Sequence, residues 1–411
     1  MVGPIERIVI VGAGQAGGWC ARALRDEGYV ESIVLVGDEE HPPHERPPLS
    51  KDVLLGRAPA ASTYLFRDDA WKQLAVDFRR GRSVTRIDRQ GHTVELSNGE
   101  VIAFDRVVLA TGGRPAPLPV PGGDKALLLR SIADADLLRS RLAGARRLAV
   151  IGGGWIGLEV AAAGRSMGLQ VAVLEAAGRL CSRAAPAVLS DYLKQLHRQH
   201  DVELRLGVRV AAVDDNGVRL ADGKLIDADL VVAGIGLVAN DQLAAAAGLE
   251  VAGGIVTDPC GRTADPAIFA CGDVSVFEHP TLHRRVRLES WANAQNQAIA
   301  CARALLGRPA ENGEAPWFWS DQHGVNIQLV GLPAADTEIV VRGTPAAGKG
   351  SWHAMVGDRL VGTIAVNAGR DIKAAKRLIE NRIAVERSSI ADINTDLRRL
   401  LPLPPPLASG S

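Results

Sequence analysis

The sequence predicts an α/β fold in which one strand–glycine turn–helix–strand pattern is built twice and a separate α+β segment follows. Three observations predict it. A glycine turn (Gly12 to Gly17) lies between an apolar strand and a helix close to the N-terminus, and the same arrangement returns at Gly152 to Gly157. From Pro316 the chain then becomes strand-rich without a further turn of that kind.

The first unit runs from Arg7 to Asp38: a strand from Ile8 to Val11, the turn Gly12-Ala13-Gly14-Gln15-Ala16-Gly17, a helix to about Glu27, and a strand from Ile33 to Val36. In such a turn Gly12 permits the tight bend, Gly14 lets the backbone approach a pyrophosphate, and Gly17 lets helix and strand pack closely. The helix start offers free N–H groups and the positive end of its dipole to phosphate. Asp38, just past the second strand, is placed for a ribose hydroxyl. The pattern reads as a Rossmann-type dinucleotide unit.

A proline-stiffened loop follows, from His41 to Lys51, ending in a helix-start pattern at Ser50. It reads either as a plain rigid loop or as a device that holds Lys51 in a fixed place near a cofactor. Asn98-Gly99, between Thr93–Ser97 and Glu100–Ala103, is a hairpin signal. Arg106 to Ala110 reads as a buried strand that ends in Thr111-Gly112-Gly113, where close ligand approach and a plain turn are both open. The proline- and glycine-rich stretch Arg114 to Gly123 marks a domain boundary.

The whole pattern then repeats. A strand (Arg147 to Ile151) leads into Gly152-Gly153-Gly154-Trp155-Ile156-Gly157, a helix to about Met167, a strand from Val171 to Leu174 and an acid, Glu175. Asp222-Gly223 gives a second hairpin signal, and the strand Leu230 to Ala233 ends in Gly234-Ile235-Gly236. Two such copies imply two nucleotide sites in one chain. Beyond them, the stretch Arg262 to Val274 reads as a strand running into Gly272-Asp273, and Glu289 opens an alanine-rich helix to about Leu306. Asp273 is either the acid of an ordinary Gly-Asp turn or a partner for a polyol hydroxyl. After the strand-rich segment to Val366 a helix is expected from Asp371 to Asn381, and Pro402 to Ser411 reads as a frayed tail. The resulting division is residues 1–112 with 238–315, residues 113–237, and residues 316–411.

Composition narrows the functional classes. Formal net charge is zero over 411 residues, which gives no support to a general polyanion-binding role, so no nucleic-acid partner is expected. The five cysteines are odd in number, scattered and never spaced as CxxC, so neither a metal site nor a redox disulfide is suggested, and a reducing cytoplasm fits best. Neither a signal peptide nor an apolar run long enough to cross a bilayer is visible.

The segments IVIVGAGQAG, RPPLSK (Arg46 to Lys51), LATGGRP (Leu109 to Pro115), VIGGGWIGLEVAA, FACGDV, ESWANAQNQ and PWFWSDQ together resemble the FAD-dependent, NADH-using ferredoxin reductases of bacterial oxygenase systems. The resemblance covers essentially the whole chain. It implies a glutathione-reductase-like pair of Rossmann-type domains plus a C-terminal domain. It also implies that FAD meets Gly12, Gly14, Gln15, Ala16, Gly17, Asp38, Lys51, Val84, Arg130, Asp273 and Trp291, and that Ala110, Thr111, Gly112, Gly236 and Gly272 are among the cofactor-binding residues. NADH would sit on Gly152, Gly154, Ile156 and Gly157, with Glu175 on the adenosine ribose. Relatives vary at the position of Trp291, and Cys271 stands where they often carry alanine or valine.

The same resemblance places Glu159 near the nicotinamide, paired with Lys51, as the candidate catalytic pair. The other reading of Glu159 is a solvated helix acid. The implied activity is that of a ferredoxin--NAD(+) reductase: NADH passes a hydride to FAD, which yields electrons singly to a small ferredoxin, of two-iron type, serving a P450 or a ring-hydroxylating dioxygenase. Glu175 suits a free ribose and so favours NADH, with Arg179 and Arg183 leaving NADPH use open. The run His283 to Arg287 reads either as a solvated loop or as a docking site for an acidic ferredoxin. Trp291, Trp317 and Trp319 either line an electron route or pack a domain junction.

Two alternatives share this architecture. An NADH oxidase-like or disulfide-reducing flavoenzyme needs a redox cysteine in the Pro42 to Lys51 loop, which holds none. A non-catalytic flavoprotein of the apoptosis-inducing-factor type would be expected to carry a targeting segment or a basic surface.

Overall fold

The computed structural model describes residues 5–67, 69–333 and 337–401; the tail from Pro402 to Ser411 lies outside them. Three larger sheets organise the chain. In the first, Ile268–Ala270, Arg106–Leu109, Arg7–Val11, Ser32–Val36 and Val76–Arg79 lie side by side, all parallel. Their residues form near-continuous apolar runs (Ile8, Val9 and Ile10; Val107, Val108 and Leu109) because layers cover both faces of a parallel sheet. The second sheet repeats the device with Val202–Leu206, Gln170–Glu175, Arg147–Ile151 and Leu230–Ala233. Each parallel sheet is followed by a three-stranded antiparallel sheet, and in each of these the expected hairpin forms: Thr93–Leu96 with Val101–Ala103, and Gly217–Leu220 with Leu225–Asp227.

The chain crosses from the first unit to the second through Gly113–Pro115 and returns through Leu237–Ala239. These two short strands pair antiparallel, Gly113 opposite Ala239, so both crossings share one edge. Part of the proline-rich linker is therefore strand, because the returning segment supplies it with a partner.

The C-terminal sheet runs Trp317–Gln322, Val325–Gly331, Arg359–Val366, Lys349–Val356, Glu338–Thr344, all antiparallel. Helix Gly369–Glu380 buries Ile372, Ala375, Leu378 and Ile379, the spacing of one helical face, in the core that lines this sheet. Residues of the sheet (Ile327, Trp352, Ile364 and Val366) enter the same core as Leu158 and Val160 of helix Trp155–Ser166 and Leu193 of helix Ala187–Gln199. At roughly 1.5–3 kcal/mol for each large aliphatic side chain taken out of water, that shared core fixes the third domain on the second. Among the described residues no helix is long and apolar enough to cross a membrane.

Candidate active site

At the first turn Gly12 has φ +105°, and a Cβ there would stand 2.3 Å from the carbonyl oxygen of Ala110. A Cβ on Gly17 would stand 1.9 Å from the Gly12 carbonyl oxygen, whereas one on Gly14 would have only the Arg46 guanidinium within reach, at 3.9 Å. Gly12 and Gly17 are thus demanded by the fold, and the open space at Gly14 serves whatever docks there. Helix Gln15–Asp26 starts at Gly14 with no side-chain cap, so its first N–H groups stay free for an anion.

Charged side chains converge on this mouth. Arg46 donates to the Arg130 carbonyl oxygen at 2.5 Å and to Glu39 at 3.0 Å, and Arg130 donates to Asp273 at 2.9 Å. Burial, with Arg130 adding to it, lowers the pKa of Arg46 from its usual value. Arg130 also lies 3.6 Å from where a Cβ on Gly112 would be, and Arg287 donates to the Asp273 carbonyl oxygen at 3.2 Å. Thr111 and Asn240 clasp the two crossings together with bonds of 2.7 and 2.9 Å. Gly272, at φ +80°, lies against Ala16 and donates its N–H to Gln297 at 2.8 Å.

Several buried polar atoms here have no hydrogen-bond partner among the described residues: both amide atoms of Gln15, Nε of Arg130, Nε1 of Trp291 and Oε1 of Gln295. Buried polar atoms are normally paired, so this cluster fits a polar ligand at the mouth of the sheet. Asp38 is exposed at the end of its strand, while the neighbouring Glu39 turns inward to Arg46. Val84 packs on the core that holds Val11 and Val36.

The second turn repeats the backbone. Gly152 has φ +106°, a Cβ on it would stand 2.4 Å from the Gly234 carbonyl oxygen, and one on Gly157 would stand 2.1 Å from the Gly152 oxygen. Gly154 again has room, and helix Trp155–Ser166 again lacks a side-chain cap. The surroundings differ. Glu175 accepts from the Gly153 N–H at 2.6 Å and the Ala177 N–H at 2.7 Å, and Ile156 is 44% exposed. Arg179 is committed to the Ala185 and Ser182 carbonyl oxygens and to Ser190. Sequence left Arg179 open as a phosphate ligand; its guanidinium instead ties down its own loop. Arg183 donates to the Ile235 carbonyl oxygen at 2.9 Å and lies beside Gly236.

Lys51 and Glu159 meet between the cradles, with Nζ 2.8 Å from Oε2. Glu159 is 3% exposed, which settles the choice between a solvated acid and a paired one. Pro47 accepts a second bond from Lys51 at 3.1 Å, so the stiff loop does fix the ammonium. Ser50 corrects an expectation: it ends the short 3-10 helix Pro47–Ser50 rather than starting a helix, and its hydroxyl donates to Glu159. Ser320, from the third domain, donates to the other carboxylate oxygen at 2.5 Å. One carboxylate therefore joins all three parts of the chain.

Trp317 and Trp319 stack with centroids 5.0 Å apart, and Trp291 stands edge-on to Trp319 at 5.9 Å. Trp317 also packs on the C-terminal core and donates to Gln328. Arg284 and Arg285 lie on the short strand Arg284–Val286, exposed, with Arg285 opposite Glu278. Sequence reasoning missed Arg46, Glu39, Ser50, Ser320 and Gln322 as working residues. Four of them lie inside the segments RPPLSK and PWFWSDQ; Glu39 had no signal beyond its place beside Asp38.

Two glycine turns that open helices without side-chain caps, with an ion pair linking the loop after the first unit to the helix of the second, fit a pyridine-nucleotide flavoenzyme fold. Residues 6–298 match the family model "Pyridine nucleotide-disulphide oxidoreductase" and residues 317–401 match "Reductase C-terminal". The chain belongs to this family and, within it, to the ferredoxin reductases. It is 42% identical to the ferredoxin--NAD(+) reductase component of the anthranilate 1,2-dioxygenase system of Burkholderia cepacia, covering 96% of this chain and 99% of that one. Putidaredoxin reductase of Pseudomonas putida is 40% identical, over 96% of this chain and 97% of its own. A crystal structure of the covalent putidaredoxin reductase–putidaredoxin complex superimposes with a TM-score of 0.92, covering 96% of this chain and 98% of that one at 40% identity.

Proposed function

We propose that this chain is an NADH-dependent ferredoxin reductase: it binds FAD at the first turn and NADH at the second, and passes electrons to a small two-iron ferredoxin that feeds a P450 or a ring-hydroxylating dioxygenase. The observation that carries the reading is the Lys51–Glu159 pair, which ties the loop after the first unit to the helix that opens at the second turn. Residues 1–112 with 238–315 make the FAD domain, residues 113–237 the NAD domain, and residues 316–411 the C-terminal domain.

Bound FAD would supply the redox chemistry, accepting two electrons as hydride and releasing them one at a time. The protein's own part is binding, orientation and charge. The free N–H groups at Gly14 to Ala16 and the guanidinium of Arg46 would hold the pyrophosphate, Asp273 and Asp38 would accept from hydroxyls, and the buried Gln15 amide would find its partner on the ligand. Lys51 and the N-terminal end of helix Trp291–Leu305, which the Ser290 hydroxyl caps through the Asn293 N–H, would supply positive potential where the ring would carry negative charge. Glu159 holds Lys51 at that place. At the second turn Glu175 would face a free ribose and repel a phosphate, which favours NADH.

Arg284 and Arg285 are our candidates for docking an acidic ferredoxin, with Trp291, Trp317 and Trp319 between cofactor and surface. Five free, buried cysteines agree with the cytoplasm as the compartment. The test is to reconstitute the purified chain with FAD, add NADH and a two-iron ferredoxin, and follow the ferredoxin's visible absorbance. Bleaching that requires all three components is expected; a chain that consumes NADH with oxygen alone and leaves the ferredoxin oxidised would overturn the assignment.

A further inference from the structure

Behind Ser320 the polar contacts do not stop. Gln322 Nε2 donates to Ser320 Oγ at 2.9 Å, His197 Nε2 lies 2.8 Å from Gln322 Oε1, and His323 Nε2 lies 3.3 Å from His197 Nδ1. Gln322 and His197 are fully buried, and the row leads from the nucleotide cleft to the exposed His200, whose ring stacks on His323 at 4.0 Å.

The geometry points to His197 and His323 as positioning residues that act through Gln322 and Ser320 to hold the Glu159 carboxylate against Lys51. The inference rests on the reading of Lys51 and Glu159 as the working pair.

A carboxylate only accepts, so the Ser320 proton points at Glu159 and the Ser320 oxygen must accept from behind. That oxygen faces the Gln322 amide nitrogen, which turns the Gln322 carbonyl toward His197. His197 must then carry its proton on Nε2, leaving Nδ1 to accept from His323. Each link donates toward Glu159, and the His197 ring must be neutral for its Nδ1 to accept. Burial provides this, pushing His197 down to about 4 and His323 to about 3, with the neighbouring His200 and Arg165 adding to it. Arg165, the charged group that acts on His323, in turn donates to the His200 carbonyl oxygen and pairs with the exposed Asp201. An amide cannot readily pass a proton along, so the row orients rather than conducts.

The hairpin tip supports a dedicated role. His323 and Gly324 form a two-residue turn with φ +52° and +76°, a site that asparagine or aspartate before glycine fills most readily. The histidine instead supplies a ring that packs edge-on to His197 at 4.7 Å.

Histidine-selective nitrogen-15 NMR on the FAD-loaded protein reads the tautomers directly. Both His197 and His323 are expected neutral with the proton on Nε2 at pH 7; an Nδ1–H tautomer at His197 would overturn the proposal. The second reading is a double-mutant cycle. His197→Phe should slow flavin reduction by NADH by up to roughly tenfold, the upper end for loss of one neutral hydrogen bond. His197→Gln, which can still donate to Gln322, should recover most of that rate. Ser320→Ala with His197→Phe should be no slower than Ser320→Ala alone, because the row is already cut. Additive losses, or failure of His197→Gln to recover, would make His197 a packing residue only. The tautomers do not depend on electron transfer: a protein inert to NADH with the stated tautomers sinks the functional reading and leaves the hydrogen-bond direction standing.

Discussion

The two glycine turns have nearly the same backbone and very different neighbours. At the first, Arg46 and Arg130 crowd the mouth and the buried Gln15 amide stands unpaired among the described residues. At the second, Glu175 is bonded to the turn's own N–H groups, Arg179 is tied into its loop, and Ile156 lies open to solvent. A shared scaffold thus yields one site furnished to keep a dianionic pyrophosphate and one furnished to let it go. On our reading, FAD is the resident and NADH the visitor.

The sharpest way to break this contrast is the same steric insult in both copies. A Cβ on Gly17 or Gly157 would collide with the carbonyl oxygen of Gly12 or Gly152, at 1.9 and 2.1 Å. Gly17→Val should yield a protein without bound flavin, whereas Gly157→Val should purify yellow and stay oxidised in NADH; absorbance spectra decide, and equal flavin loss in both would erase the distinction. Next in size is Lys51→Met. It leaves Glu159 buried and unpaired at a cost of about 3–5 kcal/mol, so the melting temperature should fall. Lys51→Met with Glu159→Gln should regain stability without regaining the rate of flavin reduction.

Arg46→Ala removes a charge-assisted contact of about 1.5–3 kcal/mol from the first cradle, so FAD should dissociate on the order of 10- to 100-fold more readily, measured by flavin fluorescence. Arg183→Ala in the second should raise the NADH Michaelis constant by only a few-fold. The smallest effect concerns nucleotide choice. Glu175→Ala should reduce preference for NADH about tenfold without making NADPH a good donor, because Arg179 is already spoken for. Comparable kcat/KM with both nucleotides in that variant would show Arg179 to be free after all.

What could be read from the sequence was what depends on neighbours in sequence. The turns were legible because positive φ and backbone contact at Gly12 and Gly152 exclude every side chain, and the hairpins because Asn-Gly and Asp-Gly announce themselves. Pairing of Lys51 with Glu159 came through family resemblance, since more than a hundred positions separate them. Ser50 was misread because a serine after prolines looks like a helix cap; its hydroxyl answers to a carboxylate in another domain. Gln322 gave no signal beyond its place at the end of PWFWSDQ and His197 none at all, because their roles exist only where the C-terminal sheet packs on the second unit.

The central claim is that nucleotide bound at the second turn reduces flavin bound at the first. Rapid mixing of the FAD-loaded protein with NADH under anaerobic conditions tests it most directly. The account predicts that flavin absorbance bleaches within the mixing experiment and does so much faster with NADH than with NADPH. Flavin that stays oxidised in excess NADH would contradict it.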